Sequence, residues 1–364
     1  MSGLYIHIPF CHSKCAYCDF FSTPRAFDID GYIDALHREY TLRCHETDSE
    51  PLQTIYIGGG TPSILSPARL ERLLRPFDLT ASRETTIEVN PEDVTDNFAA
   101  AINALGINRV SMGVQSLNDS ELAAIGRRHS GDDALRAVDT LRRAGISNLS
   151  LDLIFGLPGQ DLASWTDSLS RILDLRPQHL SAYSLMYEPG TRLWAQLQAG
   201  KLKEAPQEVS EQMYDILCQL TAQAGMEHYE ISNFAMPGHR SRHNSSYWNL
   251  TPYLGLGVSA HSFDGIVRRH NPADIRRYIA SPTPIFIEES LTDAERIDEY
   301  LLIRLRTAEG IDPADFISRF GRPAYDRLLD RARRQPMLSV TADRIAIPPS
   351  HWLISDSILV DLFE

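Results

Sequence analysis

Leu4-Tyr5-Ile6-His7-Ile8-Pro9-Phe10-Cys11-His12-Ser13-Lys14-Cys15-Ala16-Tyr17-Cys18 runs a short β-type segment straight into three cysteines. Leu4 to Ile8 reads as a strand, and the cysteines as a loop at its carboxyl end. Three thiolates separated by three and then two residues can wrap one small inorganic cluster. They leave one iron of a cubane without a protein ligand, which suits a cluster that must bind something else. A structural zinc site takes four closed ligands, and no second cysteine pair follows. His12 adjoins Cys11 in sequence and is poorly placed to complete such a set. Buried, unligated cysteines are the plainer alternative, but three in eight residues at a strand end do not fit it.

Working outward, five more β-type runs alternate with segments of helical spacing: Thr54 to Ile57, Thr86 to Val89, Arg109 to Val114, Leu149 to Phe155 and Leu180 to Met186. Several are nearly continuous apolar runs, as expected for parallel strands covered on both faces. Ser66-Pro67 reads as an N-cap and first helical residue. Asp132 to Ala144 carries Leu135, Val138 and Leu141 on one face and stops at Gly145. Trp165, Leu169, Ile172 and Leu173 mark another helix. Six strand–helix units predict an α/β fold, a partial open (β/α)6 barrel, with functional residues at the carboxyl ends of its strands.

The pattern changes after residue 205. Residues 1–205 read as the core, 206–290 as an extension, and 291–364 as a small α+β C-terminal domain, helical and winged-helix-like. In the extension, Val209 to Leu220 is helical and His228 to Ile231 strand-like. Thr292-Asp293-Ala294-Glu295 predicts a capping box opening a helix toward Gly310. Arg327, Arg331, Arg333 and Arg334, interrupted by acids, read as a solvated helix face.

The 364 residues carry a net charge of −13, against a nucleic-acid partner, whose binding face should be basic. Five cysteines, three of them crowded at one end, do not resemble a disulfide framework. Cys44 and Cys218 read as ordinary small apolar residues. The opening residues show no signal peptide, and no apolar run is long enough to span a bilayer. A reduced, cytoplasmic protein is expected.

The cysteine spacing resembles the signature of the radical S-adenosylmethionine (SAM) superfamily, and Tyr17 fits the aromatic often found before the third cysteine. The resemblance implies a 4Fe–4S cluster on Cys11, Cys15 and Cys18, with SAM on the open iron and reductive cleavage to a 5′-deoxyadenosyl radical. It further implies that Gly59, Gly60 and Thr61 of Gly58-Gly59-Gly60-Thr61-Pro62 hold the SAM amino group. Glu88, Gln115, Arg127 (aligned in preference to Arg128) and Asp152 are implied as further SAM-binding residues, with Tyr5 near the cluster.

Over nearly its whole length the chain is similar to the oxygen-independent coproporphyrinogen oxidase group. The true coproporphyrinogen III dehydrogenases carry a fourth cysteine two residues after the third, and an amino-terminal extension. Phe20 fills the first position here, and with the first cluster cysteine already at position 11 no such extension is expected. The haem-chaperone subfamily carries His-Asn-x-x-Tyr-Trp, matched by His243-Asn244-Ser245-Ser246-Tyr247-Trp248. Imidazole is a standard axial ligand of haem iron, and Tyr247 and Trp248 offer aromatic faces. Equally, His243 can cap a turn while the aromatics pack. Glu188-Pro189-Gly190-Thr191, Tyr229 to Ala235 and Gly255 to Ser262 also match. The glycines of the last segment suit close packing around a ligand, and His261 is a second candidate haem contact. The subfamily resemblance implies haem as cofactor or cargo, acceptor haemoproteins as partners, and room for a homodimer or transient membrane-surface contact. The competing expectations are a coproporphyrinogen III oxidative decarboxylase or a related porphyrin or methyl-transfer enzyme. A radical SAM RNA-modifying enzyme is disfavoured by the acidic charge.

Overall fold

Six strands, β1 (Gly3–Ile8), β2 (Thr54–Gly59), β3 (Glu84–Val89), β4 (Arg109–Gln115), β5 (Leu149–Phe155) and β6 (His179–Ser184), pair in chain order, each parallel to the next. The structure is a computed structural model describing residues 3–25, 27–47, 52–281 and 283–363. Met1 and Ser2, the head of the segment read as lacking a signal peptide, lie outside the described residues. The last strand ends at Ser184, short of the expected Met186, whose side chain is exposed.

The strands are less apolar than their runs suggest, because they alternate. Leu4, Ile6 and Ile8 join the apolar core, as do Ile55 and Ile57, Val110 and Met112, and Leu151 and Leu153. Tyr5, His7, Tyr56, Glu88, Ser111, Asp152 and Ser181 stand at the intervening positions, on the opposite face. The sheet therefore has a greasy side covered by helices and a concave polar side. Helix ends follow local chemistry. Ser130 and Asp133 form a capping box on Gly131–Arg143, and Thr292 and Glu295 form the expected one on Asp293–Leu305. Ser66 precedes Pro67–Leu74, but its hydroxyl makes no capping hydrogen bond.

Residues 206–290 extend both edges of this sheet. β7 (Glu227–Glu230) and β8 (Asn233–Ala235) join beyond β6, with β8 antiparallel to it. At the other edge β9 (Tyr253–Leu256) lies parallel to β1, followed by β10 (His261–Phe263), β11 (Arg268–His270) and β12 (Ile287–Glu289), antiparallel in turn. The result is an open sheet of twelve strands. Helix Gln207–Gln223 packs Met213 and Leu217 into the same core as the first six units.

A second apolar cluster of Leu301, Phe316, Leu328 and Trp352 organises the C-terminal part. Three helices, Asp293–Leu305, Pro313–Phe320 and Arg322–Arg334, precede a ribbon of β13 (Ser339–Val340) and β14 (Ile345–Ala346). Arg334 pairs with Asp330 one turn away, and Arg331 donates to the carbonyls of Leu362 and Phe363. Among the described residues, no helix is long and apolar enough to cross a membrane.

Candidate cofactor site and the motif beneath it

The cysteine loop is pinned at its base and again in its middle. Cys11 N donates to Thr23 O at 3.1 Å and Thr23 N to Pro9 O at 2.8 Å. Ala16 N donates to Ile125 O at 2.8 Å, and Leu193 N donates back to Ala16 O at 2.9 Å. Thr191 caps helix Arg192–Gln198, whose Arg192 reaches Lys14 O at 2.7 Å, so the Glu188–Thr191 segment braces the loop. All three thiols are free; Cys11 is buried and the others half-buried. Burial pushes the Cys11 and Cys18 thiols up, a cost removed when a metal takes the proton's place. His12 points to Asp93, 3.4 Å away, and Phe20 is 71% exposed beside the loop.

The second strand ends directly beneath this loop. Gly60 N donates to Ile8 O and Thr61 N to Phe10 O, both at 2.8 Å. A Cβ on Gly60 would stand 2.7 Å from Phe10 O, and Gly59, at φ +110°, would drive one into the His7 ring at 2.5 Å. Thr61 Oγ1 accepts from Asn90 at 3.3 Å, and Asn90 Oδ1 accepts from Arg127 Nη2 at 2.8 Å. Arg127 also donates to Gly113 O at 2.6 Å and faces Cys15 Sγ at 3.6 Å. One chain of contacts thus crosses the mouth, while Arg128 is exposed. Gln115 is buried at φ 66°, at a register shift between β4 and β5, a strained geometry of the kind that clusters at sites.

Two carboxylates line the concave face. Glu88 accepts from Tyr56 Oη at 2.8 Å and Gly59 N at 2.9 Å, yet burial pushes its carboxyl up to about 7. Asp152 accepts from Ser111 Oγ at 3.2 Å, and burial pushes it to about 6. A cationic ligand would relieve both. Tyr5 stacks on Tyr56 at 6.1 Å and bonds His7 Nδ1 at 3.0 Å. Arg109, only 1% exposed, leaves its Nε without a hydrogen-bond partner among the described residues. Tyr56, Asn90, Arg109 and Ser111 escaped the sequence reading; polar residues at every second strand position were the signal for three of them.

The amino-terminal end of the strands is closed by helix Arg242–Trp248, the His-Asn-x-x-Tyr-Trp motif itself. Glu84 of β3 accepts from His243 N and Arg242 N, both at 3.0 Å, and Ser241 caps from the other side. His243 is 1% exposed, and burial lowers its imidazole to about 3, so it is neutral. Its Nδ1 bonds Thr54 Oγ1 and its Nε2 bonds Tyr247 Oη, both at 2.8 Å, using the donor and the acceptor of a neutral ring. The ring stacks on Tyr56 at 5.0 Å. His243, Tyr56, Glu88 and Gly59 therefore form an unbroken path from floor to mouth. Tyr247 packs on Tyr253 and Trp248 on Tyr229. Asn244 N donates to Ser241 Oγ at 3.3 Å. Outside this helix lies a cleft of about 800 Å³ lined by Gly3, Thr54, Arg83, Arg240, Arg242, Ser245, Leu250 and Arg319. Arg240 pairs with Glu227 and Glu309, and Arg319 with Asp315.

Two sequence expectations are corrected. The glycines of Gly255 to Ser262 pack the chain against itself: a Cβ on Gly255 would meet His261 O at 1.9 Å, and one on Gly257 would meet Tyr32 Oη at 2.5 Å. Cys44 is exposed past the end of helix Ile29–Arg43, because the buried Glu39–Arg43 pair takes the inward positions there. Cys218 is half-buried against the core and faces His228 at 3.8 Å. His261 is exposed on β10.

Fold and cysteine loop together define a radical SAM protein, and residues 5–172 match the Radical SAM superfamily. That family implies a 4Fe–4S cluster and SAM, and three free thiols, one of them facing Arg127, beside two carboxylates waiting for a cation, fit both. When bound, they supply reductive cleavage of the sulfonium. The chain belongs to the HemW family. It is 36% identical over 332 residues to the heme chaperone HemW of Bacillus subtilis (strain 168), covering 88% of each chain. It is likewise 36% identical over 326 residues to the heme chaperone HemW of Lactococcus lactis subsp. lactis (strain IL1403), covering 88% of this chain and 85% of that one. In fold it resembles the radical SAM enzyme coproporphyrinogen III oxidase (HemN) from Escherichia coli, with a TM-score of 0.83 over 99% of this chain and 89% of the other at 24% identity.

Proposed function

We propose that this chain binds haem and hands it to acceptor haemoproteins, on a scaffold that keeps a cluster and SAM at the opposite end of its strands. The observation that carries the reading is membership of the HemW family over 88% of the chain, together with the intact His243–Trp248 motif. Cys11, Cys15 and Cys18 hold the cluster. Gly59, Gly60, Thr61, Glu88, Gln115, Arg127 and Asp152 surround SAM, with Tyr5 beneath them.

Haem sits against the outer side of the motif helix, in the arginine-lined cleft, where Arg83 and Arg242 complement its propionates. The cleft's size suits a large planar ligand. His243, Asn244, Tyr247 and Trp248 shape this seat by fixing the helix in the strand ends. Iron ligation by His243 Nε2 requires that Tyr247 first release it. Three free thiols at the cluster loop support a reducing compartment, the cytoplasm, as the place where the protein works.

The test is anaerobic incubation of cluster-reconstituted, haem-loaded protein with an apo-haemoprotein, read by the acceptor's absorption. A parallel tube holds coproporphyrinogen III, SAM and a reductant. Haem transfer without decarboxylated product is the expected result. Decarboxylation without haem transfer would replace the reading with the oxidative decarboxylase, despite Phe20.

A further inference from the structure

β10, β11 and β12 form the antiparallel end of the sheet, beyond β9. His261 and His270 stand opposite one another in register, with ring centroids 5.2 Å apart and planes 29° from parallel. β12 places Glu289 opposite Arg268, so that Glu289 lies one diagonal step from His270 on the same face. The topology thus brings two imidazoles and a carboxylate together from three adjacent strands. One ligand atom from each lies within 4.8 Å of the other two.

The hydrogen bonding of this group is incomplete. Nδ1 of His270 is 3.2 Å from Glu289 Oε1 but makes no hydrogen bond with it, and among the described residues it is buried without any other partner. A buried ring nitrogen aimed at a carboxylate, with a second imidazole alongside, is the arrangement of ligands around an ion. The surroundings permit a cation. Arg268 forms an ion pair with Glu299 at 2.9 Å, and Arg269 is tied to Glu288 at 2.8 Å. His261 is exposed and the other two are partly open, so an ion can enter from solvent. The backbone beneath is fixed, since His261 O packs against Gly255 too tightly for any side chain there.

We propose that His261, His270 and Glu289 bind one divalent transition-metal ion of the zinc class. Two imidazoles and one carboxylate are a known three-ligand zinc set that leaves a fourth position for water or a further ligand. Calcium and magnesium are disfavoured, because they take oxygen ligands. Haem iron is disfavoured as well: its macrocycle leaves only two opposed positions, whereas these three donors converge on one point. The bound ion clamps β12, which joins the sheet through only three paired residues, onto β10 and β11.

The probe is zinc alone, by equilibrium dialysis of untagged, cluster-reconstituted protein against buffered zinc without oxygen, with metal counted per chain. The result expected is one zinc per chain beyond the cluster iron. His261→Ala or His270→Ala weakens it more than about 100-fold, exceeding what loss of an outer-shell partner costs. Glu289→Gln weakens it about tenfold or more. Zinc absent from the wild-type chain, or bound equally by the His261→Ala/His270→Ala double variant, overturns the proposal. If a histidine variant fails to keep its cluster, Glu289→Gln on the sheet edge decides, and unchanged zinc affinity there overturns it too.

Discussion

The two ends of the concave face are built on opposite terms. At the floor, Glu84 has both oxygens on backbone amides and His243 has both nitrogens bonded, so nothing is left over for a ligand. At the mouth, Glu88 and Asp152 are held toward their protonated forms by burial, thiols are pushed up, and Gln115 sits in a strained backbone conformation. A satisfied polar cluster stabilises a fold; an unsatisfied one stores the free energy that a ligand releases. The floor is therefore structural on its inner side, and the mouth is where the molecule expects company.

The largest effect expected at the mouth is also the simplest. Replacing Cys11, Cys15 and Cys18 together by alanine should abolish cluster iron and its absorption while far-UV circular dichroism stays native. Loss of the fold would show that the loop belongs to the structural end instead.

At the floor, Glu84→Ala should cost about 2–4 kcal/mol in chemical denaturation, because it orphans the buried His243 amide and the part-buried Arg242 amide. His243→Ala should cost a similar amount, about 2–4 kcal/mol, through a cavity and two unpaired hydroxyls. Glu88→Gln at the mouth should cost less than about 1 kcal/mol, since it removes a poorly solvated charge. Equal losses at the two ends would break the contrast.

A smaller effect follows from the carboxylate shifts. Both are raised, so the ligand-free protein binds protons that the unfolded chain gives up. Its stability should fall as pH rises from the ordinary carboxylate range through about 7. Affinity for cationic SAM should run the other way, rising up to about tenfold per unit below the carboxylate's pKa and levelling above pH 7. Calorimetry between pH 6 and 8 reads this, and Glu88→Gln should flatten the slope. Smallest of all, Arg128→Ala should leave SAM binding unchanged, whereas Arg127→Ala removes the link between Asn90, Gly113 and Cys15.

Much of this division was legible before any coordinates. The parallel strands announced themselves because Leu4, Ile6 and Ile8 or Leu149, Leu151 and Leu153 give each run a buried face. The cysteine loop stood out because its spacing is local. What the runs concealed was the alternation: Tyr56 and Ser111 lie inside segments read as β-type runs and were not singled out, although with Tyr5 and Asp152 they form a second, polar face. The position of β9 beside β1 was invisible, since about two thirds of the chain separates Tyr253 from Gly3. For the same reason His243 could be weighed as a ligand or a packed residue, but not seen between Thr54 and Tyr56. Gly255 and Gly257 suggested a ligand because a glycine that admits a helix hydroxyl looks, in sequence, like one that admits a cofactor.

We propose that haem lies on the outer side of the floor helix, with cluster and SAM at the mouth. Anaerobic haem titration, followed by Soret absorption, of the wild-type chain and the Arg83→Ala/Arg242→Ala variant tests it most directly. One haem per chain is expected, bound about tenfold or more weakly once both propionate partners are gone, with cluster content unchanged. Haem affinity indifferent to the two arginines would contradict it and move the haem seat away from this cleft.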